Sequence, residues 1–237
     1  MLAQFGLLAA LAAGAGLGAA GWLAGTAYAV VGWSALSAGL GRSGARGLGP
    51  ADQVTLARAV LVGGVAALVA DSLTGPVPVA VLVTLAAVAL ALDAVDGQVA
   101  RRTGTASPLG ARFDMETDAF LLLVLSVFVA QSVGGWVVAI GVLRYVFVAA
   151  ARRLPWLQAS LPHRFSRKAV AALQGIVLVT ASAGVVPGPV ATMSAALALG
   201  LLGWSFGRDV GWLWRARRVP AVGPRRRAPL PAVTVAG

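Results

Sequence analysis

From residue 56 onward the chain alternates between apolar runs and short polar breaks. The runs cover roughly 56–71, 75–96, 112–131, 135–151, 169–185 and 189–206. A membrane-crossing helix needs about 20 predominantly apolar residues, so each run predicts one span. A further stretch, residues 2–41, carries no charge and is rich in Gly and Ala. It lacks a basic n-region and is too long for a signal peptide. The pattern predicts one long tilted span there, entering from outside, with two short spans joined near Gly21 as the alternative. The resulting map is an N-terminal extension (1–41), a Gly-rich linker (42–55), a six-span core (56–206) and a Pro/Arg-rich tail (207–237).

Composition supports an all-α polytopic membrane protein. Of the 237 residues, 59% are hydrophobic, and the mean hydropathy is +0.85. Such values exclude an ordinary soluble domain. There is no cysteine, so thiol and disulfide chemistry are absent. The net charge of +11 is unevenly placed. Eighteen of the nineteen Lys and Arg lie before the first of the six spans, between the second and third, between the fourth and fifth, or after the sixth. The loops near 72–78, 132–135 and 185–189 have none. The positive-inside rule makes the basic side cytoplasmic, in the plasma membrane of a bacterium if the Ala- and Arg-rich usage reflects a high-GC genome. The charge thus reads as topology and attraction to anionic lipid, with no folded basic domain left for nucleic acid.

Against this background the stretch Asp93–Asp118 stands out. It holds Asp93, Asp96, Asp114 and Asp118, four of the eight acidic residues. Carboxylates beside a bilayer are costly, and four together need a partner. Helical geometry puts Asp93 and Asp96 on one face, and Asp114 and Asp118 on another, with Gly110 on the same stripe as Asp114. The segment from Arg102 to Pro108 reads as a turn. Two helices can therefore present two carboxylates each. Their mutual repulsion is relieved by a divalent cation, and hard oxygen ligands favour Mg²⁺ or Mn²⁺.

These residues fit D-x2-D-G-x2-A-R-x8-G-x3-D-x3-D without a gap, through Asp93, Asp96, Gly97, Ala100, Arg101, Gly110, Asp114 and Asp118. The pattern resembles the signature of the CDP-alcohol phosphatidyltransferases. The resemblance covers roughly residues 50–206. It implies a six-helix bundle, with residues 2–41 as an addition, and commonly a homodimer. It also implies transfer of a substituted phosphoryl group from a CDP-linked lipid, usually CDP-diacylglycerol, to an alcohol, with release of CMP. In that reading Asp93, Asp96, Asp114 and Asp118 hold two Mg²⁺ or Mn²⁺ ions, and Asp118 takes the proton from the acceptor hydroxyl. Gly97, Ala100 and Gly110 let the nucleotide approach the backbone, and Arg101 meets the diphosphate. Two rival classes are a non-catalytic membrane protein and a UbiA-type prenyltransferase. The first is disfavoured by four intact aspartates, the second by the lack of a second, distant Asp-rich motif.

Further candidates are less sharply marked. Asp52-Gln53-Val54-Thr55-Leu56-Ala57-Arg58 is similar to the family's N-x-x-T-x-x-R pattern, with Asp for Asn. It suggests Asp52 as a helix cap and Thr55 and Arg58 as donor ligands, against a plain capped helix with a snorkelling Arg. Arg144 lies inside a span, where a charge marks a substrate path or, as the alternative, is a buried partner for an aspartate. By resemblance it helps hold the acceptor's phosphate. Ser166-Arg167-Lys168 and Gln174 look like the G-K-x-K-T-x-x-Q segment of phosphatidylglycerophosphate synthases. Val170 and Ala171 depart from it, which puts glycerol 3-phosphate in doubt as the acceptor; an inositol phosphate and phosphatidylglycerol, as in cardiolipin synthesis, stay open. Arg144, Arg152, Arg153, Arg167 and Lys168 lean toward a phosphorylated alcohol, with Arg144, Arg167 and Lys168 as its candidate ligands. Glu116 points off the aspartate face and reads as a salt-bridge partner. His163 reads as structural, Asp71 and Asp209 as boundary residues, and Trp212 and Trp214 as interface anchors. Residues 219–237 are expected to be disordered.

Overall fold

The computed structural model describes residues 1–43, 50–103, 108–158 and 165–217. They form eight α-helices: α1 (Leu2–Ala15), α2 (Ala19–Ser43), α3 (Pro50–Ser72), α4 (Val79–Thr103), α5 (Pro108–Val133), α6 (Val138–Arg153), α7 (Phe165–Ser182) and α8 (Gly188–Ala216). Short 3-10 turns at Gly135–Val137 and Pro155–Gln158 flank α6, and no strand occurs among the described residues. The all-α expectation holds. Helices α3 to α8 carry the six apolar runs. Segments Ala19–Arg42, Asp52–Ser72, Gly135–Arg153 and Gly188–Arg215 are long and apolar enough to cross a bilayer. Leu2–Ala15, Val79–Val95 and Ala169–Ser182 are shorter apolar segments.

The helices outrun their apolar cores, because good helix formers continue past the last apolar residue. Helix α4 runs on through Gly97 to Thr103, so Arg102 is helical rather than part of a turn. The centre of that expected turn, 104–107, lies outside the described residues, as do His163 and positions 219–237. Helix α3 opens at Pro50, which leaves Asp52 inside its first turn rather than at the cap. A carboxylate there still favours the positive helix end. Helix α8 continues to Ala216, and the first part of the expected tail is therefore helical.

The single span expected over 2–41 is instead two helices. Gly16 adopts φ 71°, ψ 38°, a left-handed conformation suited to Gly, and ends α1. Hydropathy could not reveal this break, since Gly16, Leu17 and Gly18 are as uncharged as their flanks. Gly21, the position considered for a turn, packs instead. A Cβ on Gly21 would lie 3.0 Å from the Ala67 carbonyl oxygen, and one on Gly25 would lie 3.3 Å from the Ala67 Cβ. Gly21 and Gly25 form a G-x-x-x-G face that brings α2 close to α3.

Asp71 locks this arrangement. One carboxylate oxygen accepts from the Gly18 N–H at 2.5 Å, the other from the Gly21 N–H at 2.9 Å. Those donors belong to the start of α2, where a carboxylate meets the positive end of the helix dipole. Asp71 is buried, so the boundary reading is replaced by a structural role. Asp209 is buried as well.

Helix α3 is the hub. Val62, Val65 and Leu68 are fully buried, and α1, α2, α4 and α5 pack around them. Helix α5 carries the packing on to α6, α7 and α8. Gly141 lets α6 approach closely, because a Cβ there would run into the Leu123 backbone of α5 and the Ser126 hydroxyl. The Gln174 amide, fully buried, donates to the Ala198 carbonyl at 2.8 Å and ties α7 to α8. At the far end of α8 the Arg217 guanidinium lies 5.4 Å from the Trp156 ring centre and 5.0 Å from that of Trp214. Trp212 and Trp214 are partly exposed, as interface anchors require.

Candidate metal centre

The ends of α3, α4 and α5 on the basic side converge on one cluster. Asp93 comes from α4, directly after the apolar run that ends at Leu92. Asp114 and Asp118 come from successive turns of α5. A carboxylate oxygen from each of the three lies within 4.8 Å of the others. Their side chains are 43%, 33% and 37% exposed, open enough for a soluble ligand to reach. The i, i+4 spacing explains why Asp114 and Asp118 share a face, and Asp93 meets them because α4 and α5 both pack on α3.

Arg58 stands among these carboxylates. Its side chain is only 1% exposed. Nη1 lies 2.9 Å from Asp93 Oδ1 and also bonds Asp114 Oδ1, while Nη2 bonds Asp118 Oδ1. A buried guanidinium is costly without partners, and a cluster of carboxylates is costly without a counter-charge; each removes the other's penalty. Three oxygens from separate carboxylates form a hard donor set of the kind Mg²⁺ and Mn²⁺ take. The residues therefore fit a divalent cation, with Arg58 supplying part of the positive charge the cluster demands.

The other expected residues divide into two groups. Thr55 is buried one turn before Arg58, and Gly110 lies one turn before Asp114. Both line a small cleft with Leu36, Asp52, Leu56, Leu109 and Phe113, so Thr55 and Gly110 are brought together, each one turn from a member of the Arg58–carboxylate cluster. Asp96, Gly97, Ala100 and Arg101 occupy the last turns of α4, and Arg167 and Lys168 the first turn of α7. The side chains of these six lie outside the described residues. Arg144 pairs with Glu116, Nη2 to Oε1 at 2.8 Å, across the close α5–α6 contact. This bears out Glu116 as a salt-bridge partner and ties Arg144 to a residue two positions from both Asp114 and Asp118 on α5.

The placement of Arg58 at the centre of the cluster was not visible in the sequence. Its partners are 35 to 60 residues away, and no local spacing announces them. Tyr28 was also missed. It stacks on Phe120 of α5 with ring centres 4.9 Å apart, which ties the N-terminal extension to the helix that carries Asp118.

Comparison with known proteins agrees with this geometry. A family model described as CDP-alcohol phosphatidyltransferase matches residues 49–205. That range starts at the foot of α3 and ends within α8; it takes in every aspartate of the cluster and omits α1 and α2. No curated protein and no solved structure matches the chain.

Proposed function

The chain belongs to the CDP-alcohol phosphatidyltransferase family, and from that premise we propose that it moves a phosphatidyl group from CDP-diacylglycerol to a phosphorylated alcohol and releases CMP. Family membership makes it a transferase of phosphatidyl groups from a CDP-alcohol. The observation that carries the proposal is the convergence of Asp93, Asp114 and Asp118 from two helices on one point.

Asp93, Asp114 and Asp118 would hold two divalent cations, Mg²⁺ or Mn²⁺, with Asp96 as a further ligand. When bound, the ions supply charge neutralisation on the diphosphate and on the attacking and leaving oxygens. The protein's own residues do the rest. Asp118 takes the proton from the acceptor hydroxyl. The acceptor oxygen then forms a bond to the phosphorus that bears the diacylglycerol. The bond from that phosphorus to the CMP oxygen breaks, and CMP leaves with the electron pair. Arg58 and Arg101 place positive charge on the diphosphate side. Thr55, Gly97, Ala100 and Gly110 form the nucleotide's bed, small enough for the base and ribose to lie against the helix ends.

Arg144, Arg167 and Lys168 receive the acceptor's phosphate in this reading. Support comes from Arg144, which sits beside the aspartate helix and is oriented by Glu116. The bare loops at the opposite ends of the helices support a cytoplasmic site in a bacterial plasma membrane. The same distribution supports the division into an extension (1–41), linker (42–55), transferase core (56–206) and basic tail (207–237).

The test uses the full chain in detergent with CDP-dioleoylglycerol and Mg²⁺. Glycerol 3-phosphate, inositol phosphate, phosphatidylglycerol and unphosphorylated alcohols are added one at a time. The expected result is CMP release and a phosphorylated lipid product with one phosphate-bearing alcohol, abolished by EDTA and restored by Mg²⁺ or Mn²⁺. Release with an unphosphorylated alcohol alone would remove the acceptor assignment. Release that survives EDTA would remove the metal.

A further inference from the structure

Helix α1 buries a single stripe, Gln4, Leu8 and Leu11, at i, i+4 and i+7. Two of the three are apolar, as a membrane-embedded face requires. Gln4 is not, and it is only 4% exposed. Its Nε2 has no hydrogen-bond partner among the described residues. An unpaired buried amide is destabilising, and hydrocarbon surroundings offer no water to repair it. The packing nevertheless makes room for it. Gly63 of α3 faces the amide, and a Cβ there would lie 2.5 Å from Nε2. Gln4 also lines a mainly apolar cleft, together with Met1, Tyr28, Trp33, Leu36, Leu56 and Phe113.

The cleft adjoins a smaller one whose Thr55 and Gly110 lie one helical turn before Arg58 and Asp114. Leu36, Leu56 and Phe113 also line the smaller cleft that holds Asp52, Thr55 and Gly110. At its other end Trp33 is 51% exposed, on a helix long and apolar enough to face lipid. Gly63 lies five residues beyond Arg58 on α3, about 7.5 Å along the helix axis. A glycerol unit spans about that distance between its phosphate and an acyl ester.

We infer that this cleft, walled by the extension that lies outside the family match, holds the diacylglycerol end of the donor, with the Gln4 amide donating to an acyl-ester carbonyl. The inference rests on the proposed donor class and deepens it. An ester carbonyl is a pure acceptor attached to a hydrocarbon chain, which matches a lone N–H donor in an apolar cleft. An ether-linked lipid lacks the carbonyl and offers only a weaker ether oxygen nearer the glycerol, and a polyprenyl chain offers no acceptor. Gln4 thus selects acyl esters, and α1–α2 is a substrate-recognition element added to the transferase core.

The test compares CDP-dioleoylglycerol with its dialkyl ether analogue. Binding of each to the full wild-type chain and to Gln4→Leu is measured by native mass spectrometry in detergent. The wild type should bind the ester about tenfold more tightly, the size of effect one buried hydrogen bond gives. Gln4→Leu should bind both lipids alike, at the ether level. Its metal-free melting temperature should not fall, because leucine replaces an unpaired amide, so lost binding cannot be blamed on unfolding. Equal affinity of the wild type for both lipids, or a preference that survives in Gln4→Leu, overturns the inference. CMP release by the wild type separates the two readings. An ester preference in binding without any Mg²⁺-dependent release would sink the reaction and leave the Gln4 contact standing. Equal release from both donors at limiting concentration would sink the contact and leave the reaction.

Discussion

Arg58 shows how a residue's role depends on what its neighbours lack. Alone in the interior it would be a liability; among three partly exposed carboxylates it is a counter-ion. It would compete with a divalent cation for the same oxygens. Arg58→Gln should therefore lower the metal-free protein's stability by about 1–3 kcal/mol, less than for a fully buried pair because the carboxylates stay partly solvated. The same variant should bind Mn²⁺ about tenfold more tightly, since one positive charge no longer repels the ion. Thermal melting and electron paramagnetic resonance of Mn²⁺ check the two effects. Unchanged Mn²⁺ affinity would place Arg58 outside the cluster. At this scale the aspartates were legible because helical spacing alone puts Asp114 and Asp118 together. Glu116 was legible by the same logic, two residues off their face. Arg58, Gln4 and Asp71 were not, because each takes its meaning from a helix far away in sequence, such as the α2 start that Asp71 accepts from.

Helices were the most legible elements, since uninterrupted apolar runs of bilayer length admit little else. Their ends were less so. Charged residues in α4 and α8 marked the end of the apolar stretch but not of the helix. The break at Gly16–Gly18 was hidden because a membrane-embedded turn between small residues needs no polar signal. Two contacts carry the element-level account. In Gly141→Ala the added methyl would meet the Leu123 backbone, which cannot move as a side chain can. The expected cost is about 1–3 kcal/mol or more, with α6 displaced and the Arg144–Glu116 pair broken. A melting curve checks the stability, and a wild-type melting temperature would mean α5 and α6 are further apart than described. In Asp71→Ala the start of α2 loses both of its carboxylate contacts. The expected loss is about 0.5–2 kcal/mol, concentrated in the extension. Hydrogen exchange should accelerate in α1 and α2 while α4 to α8 stay protected; uniform acceleration would argue against a local seam.

Across the whole molecule, charge and chemistry share one side. Basic residues gather where the carboxylates do, so in the proposed reaction the nucleotide end of a CDP-linked lipid would meet an alcohol acceptor at the same surface. The absence of cysteine makes the orientation easy to check. Gly41→Cys and Gly75→Cys occupy open positions at opposite ends of the bundle. In right-side-out vesicles a membrane-impermeant maleimide should label Gly75→Cys at once and Gly41→Cys only after detergent. The reverse pattern would put the site outside. What the whole fold adds to the sequence is the position of the extension, which packs against α3 and α5 rather than standing apart. The claim on which all of this depends is that the carboxylate cluster is a metal-dependent transfer centre with Asp118 as its base. The most direct measurement is Mg²⁺-dependent CMP release from CDP-dioleoylglycerol with its acceptor, in the wild type and in Asp118→Asn, alongside calorimetric binding of the same donor. The account predicts donor binding in both proteins and a rate at least 10²-fold lower in the variant. Turnover by Asp118→Asn at the wild-type rate would contradict it.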